Sequence, residues 1–354
     1  MDFTVISRFG AEHHEMLCRE VNDYWRRLDE SDRFDVEGIE APLGAIPLIA
    51  YDCQRRCPVL VKRYASAGLH RYNMLEGTNF KLGAVTKYNK LQNFVSPYYI
   101  TLLAQDSVSG SHQTFQVLVD EQRVGRLDII VEIARPRGMT TKEPHIPSFS
   151  VADELPQWPD SFSDTNRFYL MKQSEFLNND WIYLYLELVL CKIERVGISD
   201  SDLSKLKIVK AVIETKEDML PPDEILNAKT AVVYITFKGM AKAQVAGEHD
   251  ERKAIVRRIL NEDTGRLSLM GHLIGENPYI DIDPVTFFNS PAHTDAVRRA
   301  PELLLPPYML PAAAVYGSRI CCRRICVNFQ IWVKLSSYIL CVFWIFQICV
   351  SHET

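Results

Sequence analysis

The glycine motifs that cradle phosphate are missing from this chain. There is no Gly-x-x-x-x-Gly-Lys loop, and no Gly-x-Gly-x-x-Gly follows a strand-like run, so nucleotide-binding backbone cradles are not encoded. The Gly-x-Ser-x-Gly elbow of serine hydrolases is missing as well. His13, His14 and Glu15 adjoin, but without the His-Glu-x-x-His spacing that aims two imidazoles at one ion. A basic excess is also lacking: the net charge of −5 argues against a dedicated nucleic-acid binder.

Cysteine is scarce before the last few dozen residues. Cys18, Cys53, Cys57 and Cys191 stand alone there, while Cys321, Cys322, Cys326, Cys341 and Cys349 crowd the tail. Cys53 and Cys57 with Cys18 could supply three thiolates. No second Cys/His pair at zinc spacing accompanies them, so no metal is expected. The first ten residues lack the long apolar core of a signal peptide, which predicts an intracellular protein, cytoplasmic or nuclear and not secreted. Asp281 and Asp283 are the one tight carboxylate pair outside evident turns and read as a solvated turn. His70, His112, His249, His272 and His293 have no neighbouring Ser or Cys at motif spacing. No catalytic residue and no cofactor is predicted, and the protein is expected not to be an enzyme.

What is present is a chain of 354 residues, 47% apolar and 24% charged, ordinary for a globular protein with a sizeable core. Residues 1–50 read as an N-terminal helical segment. Leu17, Val21, Tyr24 and Leu28 recur at spacings of four, three and four, which sets them on one helical stripe. That stripe predicts packing on the helix's own domain. Weak self-association through residues 11–30 is the alternative, although two heptads fall short of a coiled coil.

Asp52 to Ala67 predicts the next helix, capped by Asp52 and stopped by Gly68. The period then changes to two. Phe80 to Thr86, Tyr98 to Gln105, Thr114 to Asp120 and Leu127 to Ala134 read as strands, with turns at Asp106 to Ser111 and Glu121 to Gly125. Residues 51–135 thus predict a helix followed by a four-strand antiparallel meander. Residues 136–165, with Pro136, Pro144, Pro147, Pro156 and Pro159, predict a linker.

Residues 166–276 predict a second strand-rich antiparallel region. Its expected strands are Trp181 to Arg195, Leu206 to Thr215, Thr230 to Phe237, Arg252 to Leu260 and Arg266 to Ile274, with a helical turn over Asp223 to Ala228. The last two flank Asn261 to Gly265, a five-residue hairpin loop with glycine where positive φ is wanted. Arg252, Lys253, Arg257 and Arg258 form a basic patch. On a strand, Arg252 and Arg258 project to one face and Lys253 and Arg257 to the other, so a solvated strand is expected rather than a phosphate-tracking stripe.

Residues 277–317 read as an irregular extension and 318–354 as a hydrophobic, Cys-rich tail. The clean apolar core of the tail, Tyr338 to Val350, is 13 residues, short of the ~20 that span a bilayer. Counting from Val327 reaches that length but buries Lys334, at a cost of about 2.5–3.5 kcal/mol. The tail is read as foreign to the polar chain before it, and a membrane partner is expected only where the tail is native.

The string Leu69-His70-Arg71-Tyr72-Asn73-Met74-Leu75-Glu76-Gly77-Thr78-Asn79 is the most distinctive in the sequence. It resembles the signature of an uncharacterised plant family, expanded in crucifers, that includes embryo-defective and male-sterility (early meiosis) paralogues. Tyr98 to Leu102, Asp128 to Arg135, Ile235 to Gly239 and Arg252 to Arg258 look similar too, so the resemblance spans about residues 10–300. It implies an α+β, cystatin-like fold, a helix packed on an antiparallel sheet, and a role in embryogenesis or meiosis. A protein partner of unknown identity is implied, and no nucleic acid. A cystatin blocks papain-like proteases with a Gln-x-Val-x-Gly hairpin. The corresponding connection here is Gln92-Asn93-Phe94-Val95, the candidate partner-binding residues, followed by Ser96-Pro97 with no glycine. Non-enzymatic protein interaction is therefore the leading reading, and cysteine-protease inhibition through a degenerate loop is the alternative.

Overall fold

The apolar or alternating runs from Phe80 to Ala134 and from Leu206 to Ile274 become strands, and they join with two short edge strands into one antiparallel sheet of ten. The computed structural model describes residues 3–43, 45–91, 95–139, 155–176, 179–193, 198–215, 221–240 and 251–275, except the side chains of 3–14, 222 and 223. The fold is α+β.

In chain order, helix α1 (Phe3–Asp29) precedes edge strand β1 (Leu48–Asp52) and helix α2 (Val59–Glu76). A meander follows in β2 (Phe80–Leu91), β3 (Pro97–Asp106), β4 (His112–Glu121) and β5 (Leu127–Pro136). The second series begins with edge strand β6 (Phe168–Leu170), a short helix α3 (Gln173–Phe176) and helix α4 (Trp181–Ile193). After α5 (Asp200–Leu203) come β7 (Lys207–Thr215), the single turn α6 (Pro222–Asn227), β8 (Thr230–Lys238), β9 (Arg252–Leu260) and β10 (Leu267–Ile274). The sheet order is β1-β2-β3-β4-β5-β10-β9-β8-β7-β6. Each series is thus a short strand, a helix and four meandering strands. The two meet where β5 and β10 pair antiparallel, Leu267 opposite Val131 and Gly271 opposite Leu127.

Helices α2 and α4 contact each other and cover one face of this sheet. Ile100, Leu102, Phe115, Val117, Ile129, Val131, Val233, Ile235, Val256 and Leu269, all fully or nearly fully buried, form the core beneath them. The opposite face is covered twice. Tyr24 and Leu28 of α1, with Phe34 and Val36, pack on Leu91, Tyr99, Leu118 and Ile133. Leu155, Trp158 and Phe162 pack on Phe168, Val212, Tyr234 and Ile255. The stripe expected on the first helix is therefore used for its own domain at Tyr24 and Leu28, while Leu17 and Val21 are half-buried.

Three sequence expectations are corrected. Trp181 to Arg195 is not a strand: Trp181–Ile193 is helical. Its aromatic and β-branched residues favour a strand locally, yet a run this long, apolar on nearly every side, is what a helix buried all round requires. The helix expected over 52–67 starts later and ends later. Asp52 is the last residue of β1, and its carboxylate accepts from the Gln54 amide instead of capping a helix. Gly68 lies in the middle of α2, where an added Cβ would stand 2.3 Å from a methyl of Val117. The missing side chain lets the helix settle on β4. Gly77, in the left-handed conformation at φ 65°, provides the C-cap.

Neither β1 nor β6 was legible as a strand, because a short edge strand carries too few residues to show a period. Of the proline-rich stretch, Pro136 closes β5 and Leu155 to Phe162 form part of a packed cover. Residues 277–317 and the tail at 318–354 lie outside the described residues. Among the described residues no helix is long and apolar enough to cross a membrane.

Candidate functional site: a polar seam under the paired helices

Trp181, Tyr185, Leu188 and Lys192 follow one another at helical spacing on α4 and make one stripe. Tyr64, His70 and Arg71 come from α2. The polar members of these two sets meet over the sheet in two places.

The first is an ion pair. Glu121, at the end of β4, accepts from the Tyr64 hydroxyl at 2.6 Å and from Lys192 Nζ at 2.9 Å through the same Oε1. Both charged side chains are 0% exposed. Desolvation costs several kcal/mol per ion, so such a pair persists only with close, hydrogen-bonded geometry, which the shared oxygen supplies. It ties α2 and β4 of the first series to α4 of the second.

The second joins His70, Tyr185, Trp181 and Arg258. His70 Nε2 lies 2.9 Å from the Tyr185 hydroxyl, and its ring is nearly parallel to Trp181 at 6.1 Å. The Arg258 guanidinium lies 4.6 Å from the centre of the Trp181 ring. Its Nη2 donates to the carbonyls of Leu226 (3.2 Å) and Ala228 (2.5 Å). Burial first, and then the positive charges of Arg258 and Lys81, push the His70 imidazole down to about 3. It is neutral at any physiological pH. Burial raises the Tyr185 phenol.

At the rim, Arg63 bonds Glu187 at 2.6 Å and shares Asp200 with Lys62. Burial pushes Glu187 up, whereas the Lys62 hydrogen bond leads the groups that hold Asp200 below the usual carboxylate range. On the far side of α2, Arg71 Nη1 donates to the Ala134 carbonyl, and burial lowers its guanidinium to about 10. Arg266 pairs with Glu132 at 2.5 Å.

The distinctive string is accounted for almost residue by residue. Leu69 is core, His70 reaches α4, Arg71 reaches β5, and Tyr72 packs edge-on against Phe80 and Phe115. Asn73 binds both the amide and the carbonyl of Phe80, closing the corner from α2 into β2.

The basic patch alternates as expected on β9, but its solvated reading fails at one residue. Arg258 is 0% exposed and points into the helix-side core, because every second residue of a strand with a buried face must enter it. Arg257, on the other face, is half-buried with Nη2 3.7 Å from the Met270 sulfur.

Of the candidate partner-binding residues, Gln92, Asn93 and Phe94 lie outside the described residues, and Val95 is half-buried. The adjoining Ser96 is 1% exposed, and its hydroxyl accepts from the Leu91 amide and donates to the Pro97 carbonyl. Cys53 is buried and Cys57 half-buried, both as free thiols, and burial raises both. Among the described residues no three His, Cys, Asp or Glu side chains are grouped to hold a metal ion.

Sequence reasoning missed Tyr64, Glu121, Tyr185 and Lys192. Only Lys192 left a signal, the one cation in a mostly apolar helix run.

The family model for "Protein MS5" matches residues 155–269, which include Tyr185, Lys192 and Arg258. A UPF0725 protein of Arabidopsis thaliana is 60% identical over 317 residues, covering 87% of this chain and 100% of the relative. A second is 56% identical, over 87% and 94% respectively. The Arabidopsis UPF0725 protein EMB2204 is 47% identical, over 69% of this chain and 77% of its own. Among solved structures, MS5 from Brassica napus superposes with a TM-score of 0.53 at 35% identity, over 62% of this chain and 99% of that one.

Proposed function

Because the chain belongs to the UPF0725/MS5 family of plant proteins, we propose that it serves reproductive development, in embryogenesis or meiosis, as a non-enzymatic protein-interaction module. The developmental half of this reading rests on the family, whose members include EMB2204 and the Brassica MS5. The non-enzymatic half rests on how the interior polar groups are used. Lys192 and Glu121 neutralise each other, and the half-buried His70 imidazole is held uncharged against Tyr185. Among the described residues these groups join the helices to the sheet, and this favours the outer surfaces as the place where a partner is met. The test is purification of the tagged full chain from flower buds and developing seeds, followed by reciprocal purification from the captured partner. A stoichiometric, reciprocal partner in either tissue is expected. A chain that travels alone in both tissues overturns the reading.

The alternative, inhibition of cysteine proteases, draws on the helix-over-meander order of the first series. A wedge needs a projecting, preorganised tip. The cystatin-type wedge ends on a glycine, whereas Val95 is followed by Ser96 and Pro97. Inhibition of a papain-type protease is therefore expected to be absent or no tighter than micromolar, roughly −8 kcal/mol. Nanomolar inhibition in a fluorogenic assay, abolished by Phe94→Ala, would make the inhibitor reading primary.

A further inference from the structure

Two of the strings on which the family resemblance rests, one in α2 and one in β9, supply His70, which bonds Tyr185 of α4, and Arg258, whose guanidinium lies over Trp181 one turn away on the same helix. Arg258 is the largest fully buried side chain, and no carboxylate forms an ion pair with it among the described residues. Its Nη2 is used on two carbonyls. Its Nε and Nη1 are buried with no hydrogen-bond partner among the described residues. The Trp181 face and two carbonyl dipoles stabilise a guanidinium partially, but they leave two donors and a full positive charge uncompensated in a desolvated place. Water could satisfy a donor. Only an anion satisfies the donor and the charge together.

The surroundings point the same way. Lys81 adds a second positive charge close enough to depress His70, and its own ion pair, with Asp180 at 2.5 Å, lies at the exposed rim. His70 is half-buried, so this edge of the cluster reaches the surface. The polar and charged groups about the imidazole are the Tyr185 hydroxyl, Arg258, and Lys81 with its Asp180 partner.

We infer that Arg258, Tyr185 and His70 form a binding site for a small oxyanion, a carboxylate or a phosphate, seated against the free guanidinium edge. The Tyr185 hydroxyl is the second donor, with His70 Nε2 as the group that orients it. A ligand of this class presents an acceptor to Arg258 and offsets the positive charges that add to burial in keeping His70 neutral.

The experiment uses the full chain and two ligand arms, sodium formate and inorganic phosphate. Each is titrated against sodium chloride at constant ionic strength. Thermal unfolding is followed in parallel with the His70 ring resonances by NMR. One arm is expected to give a saturable rise in Tm of about 2–4 °C, with His70 moving at the same midpoint. The arm that saturates tells carboxylate from phosphate. Arg258→Met should abolish both responses. Should that variant fail to fold, Tyr185→Phe should weaken the midpoint at least about threefold, since one donor is lost. A wild-type response that does not saturate, or is equal in all three salts, overturns the proposal, as does a His70 signal that stays still. A saturable response that persists in folded Arg258→Met overturns it equally.

Discussion

The half of the sheet built from β1 to β5 and the half built from β6 to β10 repeat one order of elements, yet they close their outer faces by different physics. On the first, Tyr24, Leu28 and Phe34 are clasped down by charge. Arg135 bonds Asp32 at 2.5 Å, Lys87 bonds both Asp35 and Glu37 at 2.7 Å, and Asn89, 0% exposed, donates to the carbonyls of Arg33 and Phe34. On the second, the cover is aromatic. Trp158 and Phe162 meet Tyr234 at 5.5 and 5.3 Å, Phe162 meets Phe168 at 5.2 Å, and Lys253 and Lys210 lie over the Trp158 and Phe162 rings. A cover held by exposed charge pairs responds to pH and salt, whereas one held by ring contacts responds to volume. The helix-side face differs again, because there the two halves share one buried ion pair.

That shared pair should give the largest effect. Lys192→Met removes the cation from an ion pair whose two side chains are both 0% exposed, at a cost of about 3–5 kcal/mol. Replacing Glu121 by Gln in the same chain should recover part of it. Urea unfolding monitored by amide exchange is expected to show both halves weakened together. Loss of protection confined to β7 to β9 would show that the seam does not couple them.

Next, Trp158→Ala removes a half-buried ring with two edge-on partners and should cost about 2 kcal/mol. The loss of exchange protection should fall on the face of β8 and β9 and leave the α1 cover intact. Gly68→Ala tests the first half from inside. Its Cβ collides with Val117, so about 1–3 kcal/mol is expected, with α2 lifted from β4. A neutral or stabilising outcome, as for an ordinary helical Gly→Ala, would mean that the contact relaxes at no cost.

The smallest effect is the pH response. Burial acts to raise both Asp35 and Glu37, but Lys87, and for Asp35 also Arg137, outweighs it, so both carboxyls are held below the ordinary range. A carboxyl with a lowered folded pKa stabilises fully above its unfolded value, about 4, and loses that contribution as pH falls through the folded value. Acidification below pH 4 should therefore loosen residues 30–43 in amide exchange before residues 155–168. Because these carboxylates are substantially exposed, the effect should be well under 1 kcal/mol each and smaller still in high salt. Simultaneous loosening of both covers would erase the contrast.

Much of the sheet was legible from local pattern. The runs at Phe80, Tyr98, Thr114, Leu127, Leu206, Thr230, Arg252 and Arg266 are short, apolar or alternating, and bounded by turn residues, and these signals act within a few residues of one another. The hairpin loop Asn261 to Gly265 was legible for the same reason, with Gly265 at φ 63°. Trp181–Ile193 reads as a strand from sequence because a run this apolar, with only Glu187 and Lys192 charged, carries no clear period, and only its surroundings decide between helix and strand. Gly68 was misread because a mid-helix glycine and a helix-ending glycine look alike until the neighbouring strand is in place.

The sequence by itself determined the α+β class, the meanders and the position of most turns, since backbone preference and side-chain alternation are local quantities. It also placed Arg258 and Lys253 on opposite faces of one strand. Tertiary structure alone decided which of those faces is dry, that β5 pairs with β10, and that Lys192 meets Glu121 while His70 meets Tyr185. The physical reason is distance along the chain. These contacts join residues from different halves, and the charge of Lys192 or Arg258 becomes costly only once packing has excluded water around it.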